Sequence, residues 1–172
     1  MHLLALSGSL RAGSLNTMAL RALRALAPEG VGIVLCEAIG ALPHFNHDVE
    51  MSAPPEIVAA LRRQVAAADG LVIACPEYAH GIPGSFKNAL DWLVDMPDFP
   101  GKPVMLVNAS PRSVHAQAQL REVLATMSAR LVPEADVAIE LRNRRADEPD
   151  IAHALRTGLT AFVAACTRPG SG

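Results

Sequence analysis

Five times along this chain a short apolar run gives way to a longer segment whose apolar residues recur at helical spacing. The runs are His2–Ser7, Val31–Cys36, Leu71–Cys75, Pro103–Val107 and Leu131–Glu140. Leu71–Cys75 holds no polar residue, the pattern of a strand covered on both faces. The spacing predicts helices over Leu15–Ala27, Pro54–Ala68, Ser85–Val94, Gln117–Arg130 and Asp150–Cys166. Leu15, Ala19, Leu23 and Leu26 make the stripe of the first; Ile151, Leu155, Leu159 and Phe162 make that of the last. Strands alternating with helices imply a parallel sheet with helices packed on both faces. Right-handed crossovers leave few ways to wind it.

Of the common doubly wound forms, the five-stranded one is flavodoxin-like α/β, with order 2-1-3-4-5. A single domain is expected over 1–167, with 168–172 a disordered tail. Ligands in such a sheet sit beyond the carboxyl ends of the strands where the winding reverses, so the loops after strands one, three and four carry the function.

Composition narrows the class. The 15 basic and 17 acidic residues nearly cancel, which argues against a nucleic-acid surface. The same balance argues against the strongly acidic docking face of a single-electron carrier. No apolar run approaches the ~18 residues that a membrane span needs. The opening residues lack the basic-then-apolar pattern of a secretory leader. Cys36, Cys75 and Cys166 are widely spaced without a CxxC, as expected of reduced, buried thiols in a cytoplasmic protein. The cluster His44-Phe45-Asn46-His47-Asp48 and the basic run Arg142–Arg145 read as solvated loops; no metal site is expected. Lys87 and Asp91, four apart on a helix, are expected to pair weakly.

The loop after strand one reads Gly8-Ser-Leu-Arg-Ala-Gly-Ser-Leu-Asn-Thr17. It enters a helix, so free backbone N–H groups and the positive end of the helix dipole meet there, an anion site. Ser9, Ser14 and Asn16 add neutral donors and Arg11 a permanent charge. The stretch is neither a Walker loop nor a GxGxxG turn, so a single terminal phosphate is expected rather than a triphosphate or dinucleotide. The loop after strand three, Pro76-Glu-Tyr-Ala-His-Gly-Ile-Pro-Gly84, combines rigid prolines with glycines that allow close approach of something flat. The loop after strand four begins near Ser110 and carries Arg112.

Together the stretches GSLRAGSLNT, PEYAHGIPGSFKNALDWL and GKPVMLVNASPRSVHAQAQLREVL resemble the NADPH-dependent FMN reductase family, which includes quinone, chromate and azo-dye reductases. The resemblance implies an FMN cofactor and NADPH or NADH as co-substrate. The turnover it implies is ping-pong two-electron reduction of a small-molecule acceptor such as a quinone or flavin. The family's phosphate loop falls on Ser9, Arg11, Ser14, Leu15 and Asn16. Its isoalloxazine loop falls on Pro76, Glu77, Tyr78 and Ala79, continued by His80 and Gly81; Ser110 matches its serine after strand four. Backbone N–H groups of Tyr78–Gly81 are expected to face the reduced ring, Tyr78 and His80 to shape the acceptor pocket, and no side chain to act as catalytic acid or base. Many members carry Asn at the position of Ala79, and a glycine-rich run where this chain has Arg112-Ser113-Val114-His115. The resemblance also implies homodimers or homotetramers.

Overall fold

A computed structural model describes residues 1–167; the expected disordered tail, 168–172, lies outside the described residues. The strands are β1 (His2–Ser7), β2 (Gly32–Leu35), β3 (Gly70–Ala74), β4 (Pro103–Asn108), β5 (Arg130–Leu131) and β6 (Val137–Ala138). All pair in parallel, in the order β2-β1-β3-β4-β5 that the alternation predicts, with β6 also pairing β4. The helices are α1 (Leu15–Ala25), α2 (His47–Ser52), α3 (Glu56–Ala67), α4 (Gly84–Asp91), α5 (Val114–Thr126) and α6 (Pro149–Thr167). No helix among the described residues is long and apolar enough to cross a membrane.

The two-residue period of a strand divides the core. Leu3 and Ala5 of β1, with Val72 and Ala74 of β3, face α1 and α6, where Leu20, Leu23, Leu155 and Phe162 cover them. Leu4 and Leu6, with Leu71 and Ile73, face Leu61 of α3, Phe86 and Leu90 of α4, and Leu120 and Leu124 of α5. Every residue of β3 is buried, which explains why its sequence is wholly apolar.

The expected fifth strand, Leu131–Glu140, is instead two short ones. Pro133 opens a 3-10 turn, Pro133–Ala135, and the chain leaves the sheet after Val132. Proline has no N–H to give a ladder, so the run cannot continue there. Pairing resumes with Val137 opposite Val107. In the gap, Asp136 stands in for the missing strand. Its Oδ1 accepts the Leu106 N–H at 2.7 Å, and its Oδ2 accepts from Arg121 Nη2 of α5 at 2.6 Å. α6 presses on this turn: a Cβ on Gly158 would lie 2.3 Å from Val137 Cγ2 and 2.7 Å from the Ala135 carbonyl oxygen, so only glycine fits. Asp136→Ala is expected to lower stability by about 2 kcal/mol, because a buried strand N–H and a guanidinium lose their acceptor together. Urea unfolding at unchanged m-value checks this.

One helix departs from its expected extent by three residues or more at each end, and another is additional. α5 starts at Val114 rather than Gln117 and ends at Thr126 rather than Arg130, where Ser128 turns the chain at φ 60°. α2 falls in the stretch read as a loop; it buries no residue and so has no apolar stripe to announce it. Before it, Pro43 accepts from both Asn88 Nδ2 and the Trp92 indole N–H at 2.9 Å, while the Phe45 ring meets Trp92 edge-on at 5.0 Å. Two arginines of the basic run Arg142–Arg145 are matched by their own neighbours: Arg144 binds Glu148 and Asp150, and Arg145 binds Asp147. Lys87 and Asp91 do pair across one turn of α4.

Candidate functional site

The loop after β1 is locked to β3 at its first residue. Gly8 donates its N–H to the Ala74 carbonyl at 2.8 Å. A Cβ on Gly8 would lie 2.8 Å from Cys75 Sγ and 3.3 Å from Cys75 Cα, so a bare backbone is what lets the first and third loops touch. Beyond it, Ser7 and Thr17 join hydroxyls at 2.8 Å across the loop's base. Ser14 is the N-cap of α1, its Oγ accepting the Thr17 N–H at 3.3 Å. A hydroxyl that accepts with its oxygen keeps its own hydrogen to donate. The N–H groups of Leu15 and Asn16, in the first turn, have no intrahelical acceptor. Ser9, Ser14 and Asn16 are buried polar residues. Arg11 is exposed and forms no ion pair among the described residues.

The third loop is a tight reverse turn. Tyr78 and Gly81 exchange N–H···O bonds, each 3.0 Å, and Ala79 and His80 both sit at positive φ, 49° and 60°. The exchange consumes the N–H groups of Tyr78 and Gly81, so of the four expected to face a ring, those of Ala79 and His80 remain. The neighbouring α5 holds the turn in place: Gln119 Oε1 accepts the Ile82 N–H at 2.8 Å. Glu77 is used the same way in reverse. Its Oε2 accepts the Ala116 N–H at 2.9 Å, an acidic side chain at the start of α5, where the helix dipole favours it. The His80 and His115 rings stack at 4.2 Å, 26° between planes, which puts His115 on α5 rather than in the loop where the sequence places it.

An alanine at positive φ is held there at a cost of about 1 kcal/mol or more, which Asn avoids far better. The departure of this chain from its resemblance, Ala79 for Asn, therefore falls where backbone conformation is the issue. Ala79→Asn is expected to raise stability by about 0.5–1 kcal/mol, seen as a rise of a few degrees in melting temperature.

A cleft of about 200 Å³ runs between the three loops. Ser9, Arg11, Ser14, Leu15 and Asn16 line it from the first, Pro76, Glu77 and Tyr78 from the third, and Ser110 from the fourth. Ala79, His80 and Gly81 lie outside its wall. Ala109 and Ser113 belong to it beyond the residues the sequence offers; Ser113 is the buried residue preceding α5, a position visible only once the true start of that helix is known. Half-exposed Tyr78 stands at the mouth. A wider, more apolar depression of about 520 Å³ between α1 and α6 shares no residue with these loops. The thiols take no part: Cys75 is buried and pushed up to about 12 by desolvation, and burial likewise raises Cys36 and Cys166.

The model of the NADPH-dependent FMN reductase family matches residues 1–143. This chain belongs to that family. It is 38% identical over 135 residues to a quinone reductase of Escherichia coli K12, covering 75% of this chain and 72% of the relative. It is also 38% identical over 141 residues to an NAD(P)H-dependent FMN reductase of Pseudomonas aeruginosa, covering 79% and 76%. Among solved structures, the flavoenzyme NAD(P)H:acceptor oxidoreductase FerB of Paracoccus denitrificans superposes with a TM-score of 0.85 at 28% identity over 96% of both chains. A flavodoxin from Pseudomonas aeruginosa, at 17% identity and TM-score 0.59, shares the fold. As a member of the FMN reductase family the chain is an oxidoreductase working with FMN and a reduced nicotinamide nucleotide. The donors fit an FMN: free N–H groups, two hydroxyls and a guanidinium line one cleft together with the proline-stiffened third loop.

Proposed function

We propose that this protein is an NAD(P)H:quinone oxidoreductase of cytoplasmic location, built as one FMN-binding unit over 1–167 and assembled as a homodimer or homotetramer. The observation that carries this reading is the continuity of the anion site at α1 with the wall of Pro76, Glu77 and Tyr78 in a single cleft. FMN supplies the two-electron chemistry when bound. The chain binds and orients. Leu15 and Asn16 N–H groups, the hydroxyls of Ser9 and Ser14, and Arg11 hold the phosphate. The N–H groups of Ala79 and His80, left free by the Tyr78–Gly81 exchange just beyond the cleft wall, would donate toward negative charge on a ring that extends past Tyr78. Tyr78 and His80 shape the opening through which nicotinamide and acceptor enter in turn. Arg112, exposed in the loop after β4, offers a cation to a 2'-phosphate and hence a preference for NADPH.

One opening for two reactants makes the cycle ping-pong. Initial rates at several fixed quinone concentrations are expected to give parallel double-reciprocal lines against NADPH; intersecting lines would refute the alternation. Anaerobic mixing with NADPH should bleach the bound flavin without any protein partner, which a single-electron carrier does not do at a useful rate.

A further inference from the structure

We infer that His47, Glu50 and Asp95 form a site for a divalent transition-metal ion of the Zn²⁺ class. His47 opens α2, Glu50 lies three residues on along the same face, and Asp95 comes from the turn after α4. Their donor atoms all lie within 4.8 Å of one another. The site stands apart from the flavin cleft and shares no residue with it.

Glu50 carries the argument. Its side chain is only 7% exposed, and Arg62 of α3 takes one carboxylate oxygen, Oε1. The other, Oε2, is buried and has no hydrogen-bond partner among the described residues. A bare buried carboxylate oxygen is costly, so its surroundings are short of a donor or a cation. His47 Nδ1 stands 3.5 Å from it, too far for a hydrogen bond and attractive only when the imidazole is protonated. Zinc bonds of ~2.0–2.1 Å in a tetrahedron set donor atoms about 3.3 Å apart. The His47–Glu50 pair already meets that spacing. His47 and Asp95 are exposed and free to close the rest, leaving the fourth position to water.

The donor set selects the metal. One imidazole nitrogen with two carboxylate oxygens suits zinc, manganese or ferrous iron, whereas calcium and magnesium prefer oxygen alone. Arg62 fixes the orientation of Glu50, since its Nε also donates to the Trp92 carbonyl at 2.9 Å. Neither His44 nor Asp48, the neighbours of His47 in sequence, belongs to the group. A bound ion would tie α2 to the end of α4, as the Glu50–Arg62 pair already ties it to α3.

Isothermal titration of the chelator-treated, flavin-loaded protein with ZnCl₂ tests the site. The wild type is expected to bind one Zn²⁺ per chain and to melt at a higher temperature with zinc than without. His47→Ala and Asp95→Asn change exposed residues and leave the Glu50–Arg62 pair intact; each is expected to weaken binding about tenfold or more and to abolish the melting shift. No binding by the wild type up to about 100 µM would overturn the proposal. So would isotherms that the two substitutions leave alike, which would mean that the ion binds elsewhere on the chain.

Discussion

Arg11→Ala is expected to weaken FMN binding by roughly 10- to 100-fold while leaving riboflavin binding within about twofold. The difference arises because the lost partner is the phosphate. A charge-assisted hydrogen bond contributes about 1.5–3 kcal/mol, and each 1.4 kcal/mol is tenfold in affinity. The loop should keep its shape without the side chain: the Arg11 backbone N–H is bonded to Ser9 Oγ at 3.4 Å, and Ser14 caps α1 by itself. Arg11→Lys should fall between, keeping the charge but losing the planar fork. Fluorescence titration with both flavins measures the ratio. Equal weakening of FMN and riboflavin would show that Arg11 serves the fold of the loop.

The second large effect is expected at Gly8. Gly8→Val puts a branched side chain where a single Cβ already lies 2.8 Å from Cys75 Sγ and 3.2 Å from Pro76 Cδ. The backbone cannot retreat without giving up the Gly8–Ala74 hydrogen bond. Overpacking of this kind costs about 3 kcal/mol, which for a domain of this size lowers the melting temperature by roughly 6–12 °C. Because the clash lies between the first and third loops, flavin content should fall with it. Gly13→Ala is the control: nothing lies within 4 Å of its added Cβ, so stability should stay within about 0.5 kcal/mol.

The sheet was legible because its signals were strong. β3 has no polar residue, β1 is an unbroken apolar run over Leu3–Leu6, and the strand order follows from the winding rule. The helix start after β1, with its serines and exposed Arg11, was legible for a similar reason: these are local features of ten residues. Three things were not. α2 lacks an apolar stripe, so no periodicity reports it. The run Leu131–Glu140 alternates only in part, and the pairing with β4 shows where the strand breaks. Glu77 reads as a ligand contact by position, yet its carboxylate is also occupied by α5, a partner 39 residues away that no local pattern discloses.

That break beside β4 has a bearing on how copies of this molecule can meet. A sheet edge is a row of unpaired donors and acceptors that invites a neighbouring chain to add a strand. On the β5–β6 side the row is cut into two pieces of two residues, with a turn between them and the Asp136 carboxylate facing inward. On the opposite side β2 runs unbroken over four residues, with Val34 more than half exposed. Strand-to-strand joining of copies is thus closed at one border of the sheet and confined to the other, so a self-association that grows from both borders into a fibre has no second end to grow from.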